Sequence, residues 1–257
     1  MSLSKRWGDN RNTIAHIRPN MLNNIGLKNP AAIAWWSAAF PGFGHMIIGS
    51  HFVGFILLIH EALLNNLSGL NTAIFYSFIG DFNTAKQSLD LWWLLAYVPP
   101  YIFSIWDSYQ RTIQLNEDYK LARQMNYKLN VQDFSMFGIN RLDLKKPVVA
   151  VFWSLLAPGT GHIYINQTAM VIFVVPWLVI VTYLSNLLPA IHYSLIGHFE
   201  LARSILSPQW ILFIPSIYGF VTYDAYIHTV EYNELYKLQQ KTSLKNMYQN
   251  GEFHLSD

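Results

Sequence analysis

Apolar residues fall into three long stretches that recur in the second half of this 257-residue chain. The first runs from Ala31 to Gly49, the second from Phe52 to Leu70 and the third from Leu91 to Trp106. Their counterparts, 117 positions later, cover residues 148–166, 169–187 and 208–223. Stretches this long with so few charges predict helices in a membrane.

The chain contains an internal repeat. When residue n is set against residue n + 117 without a gap, from Pro30/Pro147 to Leu121/Leu238, about a third of the pairs are identical. The strongest block, Trp-Ser-x-x-x-Pro-Gly-x-Gly-His, covers residues 36–45 and 153–162. Similarity at a fixed spacing indicates a tandem duplication, and it predicts one fold used twice around a pseudo-symmetry axis.

The first stretch of each half is interrupted by a turn motif. Proline removes a helical hydrogen bond and glycine is a weak helix former, so a continuous helix is not expected there. We therefore predict a half-helix that re-enters or lies along the membrane surface. The turn-forming residues are Pro41, Gly42, Gly44, Pro158, Gly159 and Gly161.

The second and third stretches predict full crossings. At about 1.5 Å per residue, residues 52–70 are long enough for a hydrocarbon core of about 30 Å. The third stretch begins near Trp92 or Trp210, as an interfacial aromatic belt would, and is kinked at Pro99 or Pro215. We expect it to continue beyond the membrane as an amphipathic helix.

Composition supports a chain surrounded by lipid. Hydrophobic residues make up 52% and charged residues 12%, whereas a soluble domain is about 25% charged. The net charge of +2 gives no field that would attract nucleic acid. The chain has no cysteine, which excludes disulfides, thiolate zinc sites and cysteine nucleophiles.

The distribution of positive charge predicts the orientation. Five of the 17 Lys and Arg residues precede Ala31, seven lie between Arg111 and Lys146, and three follow Tyr236. Lys86 and Arg203 are left for the loops between the second and third stretches. The positive-inside rule therefore places both termini and the central linker in the cytoplasm.

We accordingly predict an all-α, polytopic protein of the bacterial cytoplasmic membrane with two tandem parallel repeats. It has about four transmembrane helices plus two re-entrant or interfacial half-helices. A competing topology has three spans per half and an inverted repeat, but it exports the seven-charge linker. The predicted domains are a cytoplasmic basic tail, repeat 1, a cytoplasmic linker, repeat 2 and a cytoplasmic tail, at residues 1–29, 30–121, 122–146, 147–238 and 239–257.

Two histidines and two aspartates are candidate functional residues. His45 and His162 end the turn motif, and Asp107 and Asp224 follow the third stretch. Two symmetric His-Asp couples could shuttle protons near neutral pH. The alternative is that each histidine bonds to the broken backbone of the turn and each aspartate to a neighbouring Tyr, Trp or Arg.

Glu61 is the acidic residue inside the clearest predicted span, next to His60. A carboxylate in a membrane is costly, so it is a candidate functional residue. The second half has Trp177 and Leu178 at these positions, so the feature belongs to one copy. The alternatives are a neutral carboxyl bonded to a helix neighbour, or a position near the cytoplasmic third of the span.

The segment PGTGHIYINQ, residues 158–167, resembles the Pro-Gly-x-Gly-(Gln/His)-x-Tyr-x-(Gly/Asn) hairpin of many small bacterial membrane proteins. The same hairpin is seen near the amino termini of some Gram-positive sugar ABC permeases. The first copy departs from it, since Ile47 stands where tyrosine is usual. The resemblance covers some 20 residues per half, and it implies a membrane hairpin more than an activity.

The expected function is non-enzymatic: an accessory, scaffolding or assembly component of a membrane complex. Its partners would be the lipid bilayer and other membrane proteins or a second copy, with no nucleic acid, cofactor or metal. The second hypothesis is a small-solute transporter or channel component with a site between the two Pro-Gly-x-Gly-His turns. The third is a membrane enzyme that uses the His-Asp couples on a lipid-linked substrate.

Overall fold

The structure is a computed structural model that describes residues 15–18, 21–24, 27–124, 130–131, 134–135, 138–139 and 143–248. Most of the basic tail 1–29, about half of the linker 122–146 and the end of the tail 239–257 lie outside the described residues.

Helices dominate both repeats and follow the same order in each. Each of the six helices in the first repeat has a counterpart that starts 117 residues later. The first-repeat helices are α1 (Pro30–Ala39), α2 (Phe43–Ile47), α3 (His51–Ser68), α4 (Leu70–Phe78), α5 (Phe82–Gln87) and α6 (Leu91–Gln124). The second-repeat helices are α7 (Pro147–Leu156), α8 (Thr160–Tyr164), α9 (Thr168–Leu184), α10 (Leu187–Leu195), α11 (Phe199–Ile205), α12 (Pro208–Ile211) and α13 (Phe213–Tyr248).

Short strands lie outside the repeats. They are β1 (Ala15–Arg18), β2 (Met21–Asn24), β3 (Asn130–Val131), β4 (Phe134–Ser135) and β5 (Gly138–Ile139). Strand β1 pairs antiparallel with β2 and parallel with β3, and β4 pairs antiparallel with β5. The sequence did not predict these strands. The predicted all-α class holds for residues 30–121 and 147–238, where every element is a helix.

The chain packs into two compact units. Unit A comprises Leu27–Asn116 and Ile172–Val221, and unit B comprises the described residues of Met1–Gly26, Glu117–Val171 and Thr222–Asp257. The domain boundaries that follow from the repeat are a property of the sequence and stay a prediction.

The turn of unit A is packed by aromatic rings. Phe43 stacks on Phe220 with ring centroids 4.0 Å apart and on Phe40 at 4.7 Å. Phe213 meets Phe40 edge-on at 5.7 Å, and all four side chains are at most 3% exposed. Such pairs add favourable ring electrostatics to the burial of large apolar areas. The turn is therefore held inside an apolar core.

The core of unit B is built from small and large side chains on its helices and next to them. Ala150 and Ala225 are fully buried, and Ile165, Met170 and Tyr232 are each 1% exposed. The alanines allow close backbone approach, while the larger side chains fill the space between helices.

One helical run is long and apolar enough to cross a membrane, Pro208–Lys241. Two bent pairs pass the same test when each is taken as one span, α3 with α4 at 64° and α9 with α10 at 59°. The described residues thus hold one candidate span, or up to three. Helices α1 and α7, at ten residues each, reach only about 15 Å.

Candidate functional site

The Pro-Gly-x-Gly-His motif breaks the helix in both copies. Helix α1 ends at Ala39, and the N–H of Phe40 donates to the Trp36 carbonyl at 3.0 Å. Gly42 then starts α2 with φ of +100°, and Gly159 starts α8 with φ of +101°. Glycine adopts this conformation without strain, whereas other residues rarely do. The first glycine of the motif is therefore required by the backbone.

The second glycine of the motif allows a close helix crossing. A Cβ at Gly44 would collide with Ser37 Oγ and with the carbonyl oxygen of Ile33. A Cβ at Gly161 would collide in the same way with the hydroxyl of Ser154 and the carbonyl of Ala150. The motif therefore repeats its serine and its second glycine because both copies fold α1 or α7 tightly against the short helix after the turn.

The structure brings each motif histidine to its matching aspartate. His45 Nε2 lies 2.9 Å from Asp107 Oδ2, and His162 Nε2 lies 2.9 Å from Asp224 Oδ2. Both imidazole rings are 0% exposed. Each couple ties a five-residue helix, α2 or α8, to a long helix, α6 or α13, within one unit.

The two couples differ in the third group that contacts the carboxylate. In the first copy Arg111 Nε donates to Asp107 Oδ2 at 2.6 Å, and the arginine side chain is 42% exposed. In the second copy His228 Nδ1 bonds to the backbone carbonyl of Asp224 at 3.0 Å and lies 3.1 Å from Asp224 Oδ1. These two side chains are 8% and 0% exposed. Positions 111 and 228 are equivalent in the repeat and lie one helical turn after the aspartate. The alternative of a neighbouring Arg fits Asp107, whereas sequence reasoning missed His228, although the i, i+4 spacing was the signal.

Asp107 follows the apolar stretch that ends at Trp106. Burial by itself would raise the pKa of its carboxyl, but the hydrogen bonds from Arg111 and His45 outweigh burial and lower this pKa below its usual value. Asp107 is therefore a stable anion at neutral pH. It can anchor both partners at once.

The couples hold the turn but present no reactive atom. The Nε2 atoms face the carboxylates, and the Nδ1 atoms of His45 and His162 are buried with no hydrogen-bond partner among the described residues. A general acid or base must come within hydrogen-bond distance of a substrate. The geometry suits a structural brace.

A paired asparagine clamp is a second feature that sequence reasoning missed. The side-chain amide of Asn116 accepts from Lys28 N–H at 2.9 Å and donates to the Lys28 carbonyl at 2.8 Å. Asn233 makes the same two bonds with Lys145, at 2.8 and 2.7 Å. Each clamp fixes the residue just before α1 or α7 to the long helix of its unit. The identity of Asn116 and Asn233 in the repeat was the available signal.

Tyr164 belongs to the part of the hairpin that the first copy lacks. Its hydroxyl accepts from the Lys146 N–H at 3.1 Å, and the Lys145 ammonium lies 5.0 Å from its ring centroid. Ile47, at the equivalent position, is 1% exposed and packs as an apolar residue. The tyrosine thus tethers the segment that leads into α7.

Glu61 lies in a polar cluster inside unit A. Its Oε1 accepts from Asn65 Nδ2 at 3.0 Å, and the same amide nitrogen donates to Asn71 Oδ1 at 3.2 Å. Gln209 Nε2 donates to Asn65 Oδ1 at 2.8 Å, and Gln209 Oε1 accepts from Thr72. Asn65, one turn later on the same helix, is therefore the helix neighbour to which Glu61 bonds. Polar residues within an apolar stretch were the signal for the rest of the cluster.

No family model, no curated protein and no solved structure matches this chain.

Proposed function

We propose that this chain is an integral membrane protein that acts as an accessory, scaffolding or assembly component of a membrane complex. The observation that carries the proposal is the burial of both His-Asp couples, each of which braces a turn against a long helix. Residues that could have formed a reactive site serve internal contacts instead. This weighs against an enzyme, whose histidines would have to reach a lipid-linked substrate.

The proposed membrane arrangement has four spans, two parallel repeats and cytoplasmic termini. Large apolar side chains on α6 support it, since Trp92, Leu95 and Ile102 are 76%, 69% and 58% exposed. Such side chains are favourable against lipid, with tryptophan at the interface. The turn helices α2 and α8 lie between short helices and spans, as re-entrant or interfacial half-helices would.

The long helices supply a surface for a partner. Helix α6 has 34 residues and α13 has 36, which corresponds to about 50 Å at about 1.5 Å per residue. A hydrocarbon core of about 30 Å leaves about 20 Å of each helix outside. Glu117, Lys120, Glu234 and Lys237 are exposed on these extensions. A braced, protruding helix with a charged face suits docking of another membrane protein or a second copy.

Single-cysteine labelling tests the topology, because the chain has no cysteine of its own. Asn83→Cys and Glu200→Cys lie in the predicted external loops, and Lys120→Cys lies in a predicted cytoplasmic extension. A membrane-impermeant maleimide added to intact cells should label the first two variants, and Lys120→Cys only after lysis. Labelling of Lys120→Cys in intact cells would refute the proposed orientation.

Site-specific photo-crosslinking tests the docking role. A benzophenone amino acid at Glu117 or Glu234 should give a discrete protein adduct in native membranes, identified by mass spectrometry. The same probe at Ile102, on the apolar stretch, is the matched control and should give no protein adduct. An absence of protein adducts at both extensions, together with a monomer in detergent, would contradict the proposal.

A further inference from the structure

A small cleft in unit A opens beside the Pro-Gly turn. The empty space there is about 180 Å³ when the open solvent at the mouth is included, and three segments form the cleft: the turn after α1, the middle of α3 and the double proline of α6. The lining side chains are apolar or aromatic apart from one histidine and one acid. They are Pro41, Leu57, His60, Glu61, Tyr97, Pro100 and Tyr101.

The carboxyl of Glu61 is held by neutral donors only. Glu61 is 4% exposed, and its Oε1 accepts from Asn65. The Asn65 side chain is itself held by Asn71 and Gln209, so its amide is fixed on Oε1. The Tyr97 hydroxyl is a second hydrogen-bond donor to this carboxyl. Because both donors are neutral, neither balances the charge of an ionised Glu61.

The groups that face this carboxyl carry no fixed positive charge. Tyr97 and Tyr101 line the cleft from α6, and the Tyr101 hydroxyl already donates to the Ala38 carbonyl at 2.8 Å. His60 is the neighbour of Glu61 on α3 and is exposed. Among the described residues, neither lysine nor arginine lines the cleft. Since a carboxylate in apolar surroundings is strongly unfavourable without a cation beside it, neutralising the charge requires a mobile cation.

Three residue counts place the cleft at the same depth, given the membrane arrangement proposed above. Glu61 comes ten residues after the start of α3, Pro100 nine after the start of α6, and Pro41 follows the ten-residue α1. Each count corresponds to about 15 Å, which is half of a hydrocarbon core of about 30 Å. The carboxyl therefore lies near the middle of the bilayer, where charge is most costly.

We propose that Glu61 is a cation-binding site in which one small monovalent cation, a proton or an alkali-metal ion, neutralises the buried carboxylate and exchanges through the cleft. Proton binding converts the carboxylate to a neutral carboxyl, and an alkali-metal ion binds the carboxylate without a covalent change. The site belongs to the first copy, because Leu178 replaces the acid in the second.

Carbodiimide labelling tests this site, because dicyclohexylcarbodiimide adds to a protonated carboxyl in an apolar environment. The carboxyl O–H adds across one C=N bond, and the product rearranges to a stable N-acylurea without losing a group. The purified full chain in liposomes should gain one adduct, and peptide mass spectrometry should map it to Glu61. Glu61→Gln should lose this adduct, whereas Glu117→Gln, at an exposed acid, should retain it.

The pH and the salt used during labelling distinguish a proton from an alkali-metal ion. If the proton alone occupies the site, labelling should fall as pH rises and should be the same in sodium chloride and choline chloride. If an alkali-metal ion also occupies it, sodium chloride should slow labelling at least several-fold relative to choline chloride. Absence of labelling at Glu61 over the whole pH series, or labelling insensitive to both pH and sodium, would overturn the proposal. Direct mapping on the unmodified chain keeps the test valid even if Glu61→Gln does not fold.

Discussion

The two copies brace the same turn with different second partners of the aspartate. In the first, Asp107 is 13% exposed and lies between buried His45 and Arg111, whose charge is permanent and reaches the surface. In the second, Asp224 is fully buried between two histidines, His162 and His228. The same His-Asp distance of 2.9 Å thus occurs in two different surroundings. The motif keeps its geometry, while the second side chain beside the aspartate differs between the copies.

Removing the motif histidine should cause the largest loss of stability, and the loss should differ between the two copies. His162→Ala leaves the buried Asp224 with His228 alone, which should cost about 3 to 5 kcal/mol, because an uncompensated buried charge is strongly destabilising. His45→Ala should cost about 2 kcal/mol less, because Asp107 keeps its Arg111 bond and some water contact. Thermal unfolding in detergent measures both. Since the two truncations remove the same volume, equal costs would contradict the proposed effect of the second partner of each aspartate.

Substitution of the second glycine of the motif should lower the stability by a similar amount in both copies. Gly44→Ala and Gly161→Ala should each destabilise the protein by about 1 to 3 kcal/mol, because the added methyl group meets a serine hydroxyl and a backbone carbonyl. Gly219→Ala is the matched control, since its nearest neighbour would be Trp36 at 3.9 Å. That variant should be neutral or stabilised by up to about 1 kcal/mol through helix propensity. Tolerance of either motif variant would show that the crossing is looser than described.

The asparagine clamps should also be equivalent. Asn116→Ala and Asn233→Ala each remove two backbone hydrogen bonds, at about 0.5 to 1.5 kcal/mol per bond, so a loss of about 1 to 3 kcal/mol is expected. Asn116→Asp and Asn233→Asp should cost at least as much, because a carboxylate oxygen then faces the carbonyl to which the amide had donated. Unfolding free energies from denaturant titration in mixed micelles would measure this. A loss confined to one copy would break the equivalence.

The smallest expected effect is the difference in stability at acid pH between the wild type and Asp107→Asn. Because the folded-state pKa of Asp107 is lowered, its stabilising contribution is complete above the unfolded value of about 3.9 and is lost as pH falls through the lower folded value. Asp107→Asn should therefore lose less stability than the wild type between pH 5 and 3, by about 1 kcal/mol or less for a partly exposed pair. Parallel acid profiles for the two proteins would show that Asp107 does not contribute in this range.

Much of the helical layout could be predicted from the sequence. Proline and glycine act locally on backbone hydrogen bonds, so the break after Ala39 and the break after Leu156 are readable from residues 41–44 and 158–161. The end of α3 is harder to predict from the sequence, because the bend at Gly69 divides a stretch that is apolar on both sides. The strands β1 to β5 carry no strong local pattern and were missed.

The sequence predicted the paired residues of the site only where the same residues recur in both copies. His45 and Asp107 are 62 residues apart, and their recurrence at His162 and Asp224 was the one sign that they belong together. The cluster around Glu61 has no counterpart in the second copy. No recurrence pointed to Asn65, Asn71 or Gln209.

The sequence alone determined the duplication, the helix breaks and the identity of the residues placed at each turn, because these follow from local chemistry repeated at a fixed spacing. The tertiary structure decided which side chains lose contact with solvent and which third group meets each aspartate. It also decided that the buried Glu61 lines a small cleft with Tyr97 and Tyr101. Burial and long-range contacts depend on how helices pack, and packing is a property of the assembled chain that no local pattern encodes.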